Sequence, residues 1–372
     1  MAAIARTDSS ILGRWWWTVD RWALFALFVL AAVGLLLTAT ASPAVAERLN
    51  LSTLHFVRRQ AMMLLPAMVT MLAVSLLTPR QIRRLAVVVF AVMICLLLLT
   101  LISGTEIKGA RRWISVAGFS LQPSEFVKPA FAVTAAWMFA ARRLGEEIPG
   151  NLIAMGLLGL VLSLLLAQPD IGQAFVISSV WFTQFFLAGL SMVWVMAIGL
   201  LGIAGLTGAY FVFPHVASRI DRFIDPSSGD SYQVDRALQA FAGGGIFGRG
   251  PGEGAAKLHL PDAHADFILA VAGEEFGMIA CLLIVAIFMF IILRGFMRVL
   301  QENNLFVVLA ATGLLVQFAL QALINMGSTL NLIPTKGMTL PFISYGGSSL
   351  LALGLAMGMM LALTRRHAGD AP

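Results

Sequence analysis

Charge is scarce in this chain. Asp, Glu, Lys and Arg make up 12% of its 372 residues, against about a quarter in a soluble globular protein. Cysteine is down to 2 residues and tyrosine to 3. Two cysteines exclude a disulfide framework and a four-cysteine zinc site. Cys95 and Cys281 both fall inside apolar runs, where they read as inert packing residues that say nothing of redox compartment. No basic stripe with interleaved aromatics occurs and the net charge of +6 is modest, so nothing points to nucleic acid. No small-residue cleavage site follows the first apolar run, so the amino terminus does not read as a cleavable signal.

What is present is hydrocarbon. The apolar fraction is 59% and the mean hydropathy is +0.88, more apolar surface than a soluble core absorbs. Crossing a bilayer takes roughly 20 apolar residues. The pattern predicts an all-α polytopic membrane protein with about ten spans: 22–42, 60–77, 84–102, 124–141, 151–167, 171–188, 192–212, 266–293, 305–326 and 341–363. A membrane domain over 22–363 then lies between tails 1–21 and 364–372, both read as poorly ordered, with a large outer loop at 214–265 between spans seven and eight. Short basic connections at Arg80–Arg84, Arg142–Arg143, Arg294–Arg298 and Arg365–Arg366 share one face with both termini. The positive-inside rule makes that face cytoplasmic. Trp15, Trp16 and Trp17 suit an interfacial belt.

Polar residues gather on the other face. Glu125 and Lys128 are three apart and share a helical face. A structural ion pair and the wall of a substrate cavity fit that spacing equally. Arg111 and Arg112 stand where unselected arginines are disfavoured, so lipid contact and pyrophosphate binding both remain open. Asp170 can cap the helix that follows it. The glycines at 243–245, 248, 250, 252 and 254 permit a flexible loop or a nest of amides for an anion, with Arg249 and Lys257 beside them. They lack the Lys-Ser/Thr ending of a nucleotide loop. His264 and Asp266 open the eighth span, and Glu274 and Glu275 lie about 12 Å deeper. On an unbroken helix Glu274 falls about 80° from Asp266 and shares its cavity more readily than Glu275 does. Three carboxylates on one membrane helix point to chemistry. His259, His264, Asp262 and Asp266 do not follow a zinc spacing, so no metal or other cofactor is assigned, and dependence on a divalent cation stays open.

These segments resemble the SEDS family, the shape, elongation, division and sporulation glycosyltransferases of bacterial membranes. The carriers are GARRWI at 109–114, QPSEFVK at 122–128, QPDIG at 168–172, DSYQVDRAL at 230–238, the glycine-rich run to Lys257, LPDAHADFILAVAGEEFG at 260–277 and PFISYGGSS at 341–349. Pro334-Thr335-Lys336-Gly337 resembles the division member more than the elongation member. The sequence departs at Ala265, where many relatives carry Thr, at Asp262, where many carry Glu, and at Gln173 in place of the more usual Thr. The resemblance implies an enzyme of the bacterial cytoplasmic membrane that joins lipid II disaccharides into peptidoglycan strands, with undecaprenyl pyrophosphate as leaving group and inversion at the anomeric carbon. It implies Asp266 as the catalytic carboxylate facing the periplasm, work at the division septum, and a class B penicillin-binding transpeptidase among its divisome partners. Arg111, Lys257 and Lys336 are the candidates for pyrophosphate; Glu125, Lys128, Asp170, His264 and Glu274 are further candidates for lining the site. A lipid II flippase and a noncatalytic divisome scaffold are the alternatives.

Overall fold

The structure, a computed structural model, describes residues 10–107, 110–116, 119–145, 147–189, 192–225, 232–260, 262–334 and 337–365. Each of the ten predicted spans coincides with a helix: α2 (Arg21–Arg48), α3 (His55–Ser75), α4 (Pro79–Ser103), α5 (Pro123–Arg143), α6 (Gly150–Ala167), α7 (Ile171–Leu187), α8 (Met192–Val212), α11 (Ile268–Val299), α12 (Leu305–Thr329) and α13 (Gly347–Leu363). Seven of them are long and apolar enough to cross a membrane. The apolar helices α7 and α13 are a turn shorter, and α5 carries Glu125, Lys128, Arg142 and Arg143. That charged helix is largely enclosed, packed between α4 and α12, which is how a polar span is kept from lipid. By contrast α8 lies almost wholly outside the bundle.

Local chemistry sets the helix starts. Asp20 caps α2 through the amides of Trp22 and Ala23. Thr78 and Gln81 form a capping box on α4 with Pro79 at its first turn. Asn304 caps α12, and Asp170 caps α7. Asp20 also receives Arg294 Nε at 2.7 Å and Arg298 Nε at 2.9 Å, tying the start of α2 to the end of α11.

Several expectations are corrected. The amino-terminal tail is not wholly irregular: α1 (Ile11–Thr18) is a helix capped by Ser10 and held by Trp15 Nε1 on Ser75 Oγ at 2.9 Å. Residues 1–9 and 366–372 lie outside the described residues. Cys95 faces outward rather than packing. The helix predicted from 266 starts at Ile268, because Asp262–Phe267 form consecutive turns. The one predicted from 341 starts at Gly347, because Phe342 has φ +61°. A small antiparallel sheet, β1 (Thr105–Ile107), β2 (Ala110–Val116) and β3 (Phe119–Leu121), stands in the first outer segment. Alternation along β2 turns Arg111 and Arg112 to opposite faces.

The outer loop is not an open coil. It contains α9 (Pro214–Ile224), α10 (Tyr232–Gly244) and a 3₁₀ turn at Ala256–Leu258, and α10 packs along α11. The glycine run after α10 enters a break in α11. Gly277 there has φ +77° and ψ −177°, outside helical space. The amides of Met278 and Ile279 donate to the carbonyls of Gly245 and Ile246 at 3.0 and 3.3 Å. In return the amides of Arg249 and Gly250 donate to the carbonyls of Glu274 and Glu275 at 2.9 and 3.0 Å. Loop and helix thus cap each other where hydrocarbon would leave broken backbone unsatisfied.

Only glycine fits the break. A Cβ at Gly277 would stand 2.3 Å from the Ile246 oxygen, and one at Gly248, φ +83°, 2.2 Å from the Glu275 oxygen. Gly277→Ala should therefore lose about 1–3 kcal/mol. It should melt several degrees below wild type in detergent. Gly202→Ala on α8, where a Cβ meets nothing within 4 Å, should melt with wild type. Equal melting of the two variants would contradict this account of the break.

Candidate active site

The turn carrying Asp266 is fixed through its backbone. Asp262, with φ +51°, offers its carbonyl to the amides of Ala265 and Asp266 at 2.9 and 3.1 Å. The next three free carbonyls are each taken by a different donor. Tyr345 N donates to His264 O at 2.9 Å. Ser344 Oγ donates to Ala265 O at 2.6 Å. Asn325 Nδ2 donates to Asp266 O at 3.0 Å, with Thr329 Oγ1 at 3.4 Å. Asn325 also holds Met338 O at 2.6 Å, and Gln60 holds Ser344 O at 3.3 Å. α12, α3 and the PFISYG segment therefore set the backbone of Asp266 together. Its side chain is half-buried, and the backbone of Gly337 flanks it so closely that a Cβ there would lie 3.0 Å from Oδ2.

Charges from three other segments gather on the side of this carboxylate where Arg219 stands. Arg112, on β2, reaches the turn before α7: its Nε donates to Gln168 O at 3.1 Å, and its guanidinium lies 3.9 Å from Asp170 Oδ2. Arg219, on α9, is within electrostatic reach of Asp266, Asp170, Arg112 and Arg222. Burial lowers its pKa below the ordinary value, Arg112 and Arg222 lower it further, and the two carboxylates oppose them. A guanidinium so placed remains a cation.

Behind this cluster runs a buried polar chain. Lys128 Nζ donates to Glu125 at 2.9 Å and to Gln321 Oε1 at 3.1 Å. Glu125 also accepts from Gln173. Gln321 donates to Thr339, whose hydroxyl lies 2.8 Å from Ser349 Oγ. The chain joins α7, α5, α12 and the start of α13, one turn from Asn325.

Not every nominated residue comes to this place. Asp266 and Asp170 do, and Glu125 with Lys128 stand behind them. Arg111 turns away to Glu106 at 3.5 Å on the exposed face of the sheet. Lys257 is buried in an ion pair with Glu275, and its ammonium also donates to Thr40 O and Gly252 O. Glu274 does not share Asp266's cavity. Its carboxylate accepts from the amides of Ala255 and Lys257 at 2.7 and 3.2 Å, with Arg249 at 3.9 Å. The anion in the glycine-rich nest is thus the chain's own. The angular estimate fails because Asp266 precedes the helix. His264 packs against Phe56 and Tyr345 at 4.4 and 5.1 Å. Lys336 lies outside the described residues. Arg112, weighed beside Arg111 for pyrophosphate but not carried into the candidate site, is the one of the two that comes here, and Arg219 was not singled out; strand alternation in β2 and the i, i+3 spacing of Arg219 and Arg222 are the signals that point to them. Among the described residues, no group of three or more His, Cys, Asp or Glu is placed to hold a metal ion.

The model of the FtsW, RodA and SpoVE cell cycle proteins matches residues 21–368. The chain belongs to that family. It is the SEDS family that the motifs resemble. Over 368 residues the chain is 46% identical to a Caulobacter vibrioides protein named "Probable peptidoglycan glycosyltransferase FtsW", covering 99% of this chain and 94% of the relative. A Coxiella burnetii protein of the same name is 36% identical, with 93% and 96% covered. Among solved structures, a chain from a peptidoglycan synthase complex that coordinates polymerization and crosslinking superposes with a TM-score of 0.77 at 25% identity, over 93% of this chain and 97% of that one. Thermus thermophilus RodA superposes with a TM-score of 0.69 at 26% identity, over 94% and 97%.

In this family member His264 is a neutral packing group. Burial, helped by Arg48 and opposed by Asp262, lowers its pKa to about 4. A base whose folded pKa lies below its unfolded value stabilises the fold above about pH 6.5, and that contribution is lost as pH falls toward 4. Acidification from about pH 7 to about pH 4.5 should lower the melting temperature of wild type more than that of His264→Phe. Parallel curves would remove this role.

Proposed function

We propose that this protein polymerises lipid II into peptidoglycan strands at the division septum, with Asp266 as the general base. The observation that carries the reading is a half-buried carboxylate fixed by its backbone, within reach of the Arg219 guanidinium, in a multi-pass membrane protein. The relatives named peptidoglycan glycosyltransferase FtsW support the reaction class.

The acceptor sugar hydroxyl gives its proton to Asp266 as its oxygen attacks the anomeric carbon of the donor. The bond from that carbon to the pyrophosphate oxygen breaks, and the electron pair leaves with undecaprenyl pyrophosphate. Attack opposite an α-linked leaving group gives a β-linked strand. Arg112 and Arg219 meet the charge that grows on the departing phosphate, where preorganised cations act most strongly. A rigid turn matters here because a base works only within hydrogen-bond reach of its proton. The buried Glu125–Lys128 chain keeps the floor of the site polar without placing a net charge in the bundle.

Both termini belong on the cytoplasmic side, by the basic connections at that end, and Asp266 faces the periplasm. A class B penicillin-binding transpeptidase is the partner that crosslinks the product. The likeness to a chain from a complex coordinating polymerization with crosslinking supports that pairing.

Purified wild type with that transpeptidase should form polymer from lipid II. Asp266→Asn should lose activity by about 10²-fold or more with unchanged melting temperature. Arg219→Gln should lower kcat by about 10–100-fold with a smaller change in KM, as expected when charge is met mainly in the transition state. Arg111→Gln should stay near wild type. Polymerisation retained in Asp266→Asn would end the proposal.

A further inference from the structure

At the end of the bundle far from Asp266, two arginines grip a single carboxylate and a third stands beside them in the lining of one cavity. Arg294 lies 28 positions beyond Asp266, roughly 40 Å along the helix axis. A cavity of about 190 Å³ opens there, lined by Trp17, Arg21, Trp22, Arg294 and Arg298 among others. A second, of about 160 Å³, continues along α11 past Arg294, Arg298 and Gln301. Arg294 and Arg298 are 25% and 15% exposed, and each spends its Nε on Asp20. The Asp20 carboxylate is filled by those two guanidiniums and by the amides of Trp22 and Ala23. It is held below its ordinary pKa: burial raises it, but the bonds from Arg294, Ala23 and Arg298 outweigh burial. Arg21 lies over the rings of Trp16 and Trp17 at 5.6 and 5.3 Å, so its position is also fixed.

Trp22 in the lining of the first cavity and Met297 in that of the second are exposed, as are Phe25 on α2, Leu293 on α11 and Leu300 just past its end. A hydrated inorganic anion would use the guanidiniums alone. An amphiphile with a charged head and hydrocarbon tails gains from both parts.

We infer that this cavity binds the phosphate head group of an anionic glycerophospholipid, with Arg21, Arg294 and Arg298 on the phosphate and the acyl chains along the exposed side chains of α2 and α11. A guanidinium presents paired donors that match phosphate oxygens. The site is independent of the glycosyl transfer, because it lies at the other membrane face. Its consequence is a lipid that clamps α1, the start of α2 and the end of α11.

The test uses the full chain in detergent, titrated with phosphatidylglycerol or phosphatidylcholine and read by native mass spectrometry. Wild type should retain phosphatidylglycerol about tenfold more tightly than phosphatidylcholine, on the order expected of more than one basic residue per head group. Arg21→Gln should weaken phosphatidylglycerol about fivefold without lowering the melting temperature, since Arg21 makes no ion pair with Asp20. Arg298→Lys keeps a charge beside Asp20 and loses the fork, and should also weaken the lipid. Inorganic phosphate at millimolar concentration should not displace it. Equal retention of the two lipids, no effect of Arg21→Gln, or displacement by inorganic phosphate would each overturn the assignment.

Discussion

The break in α11 is the constraint on which the outer half of this protein depends. A helix interrupted within a membrane domain frees carbonyls on one side and amides on the other, and no water is at hand to satisfy them. Here one glycine-rich segment supplies both sets of partners, and four hydrogen bonds run in opposite directions across Gly277. Two buried carboxylates lock the same junction from the side: Glu274 takes the amides at 255 and 257, and Glu275 takes the Lys257 ammonium. Three carboxylates on one segment thus divide their work. Two hold the loop, and the third stands just ahead of the helix.

The position of the third rests on a second layer of fixed bonds. A clamp on the backbone makes a side chain rigid in place without itself occupying the carboxylate oxygens. Ser344, Tyr345 and Asn325 grip carbonyls at 264–266, leaving the Asp266 oxygens beside a residue with no side chain. Asn325 lies one turn from Gln321, at the end of the buried chain from Glu125 and Lys128. A charged helix at the centre of the bundle and the turn carrying Asp266 are therefore supported by the same face of α12.

The ten spans are legible in the sequence because the bilayer demands long apolar runs and little else. The helix start at Asp170 is legible as a cap, and the same side-chain chemistry at Asp20 and Thr78 is there to be read but goes unmarked. The choice of Asp266 rests on the HADF motif; the structure places it half-buried and within reach of Arg219. What escapes is everything fixed by distant partners. Glu274 and Lys257 read as site residues because both are charged and near Asp266 in sequence; packing against the loop gives them to each other's neighbourhood instead. Arg111 and Arg112 are alike in sequence, and only strand pairing with β1 separates their directions. Arg219 lies in a segment whose helical face becomes evident only once α9 is seen as a helix.

The clamp at Asp20 also constrains how the protein is made. Its guanidinium partners come 274 and 278 residues later in the chain. At roughly 5–20 residues per second a ribosome needs about 15–55 s to reach them. Closure of the bundle at this end therefore cannot precede synthesis of the far end of the broken helix, with only α12 and α13 still to come.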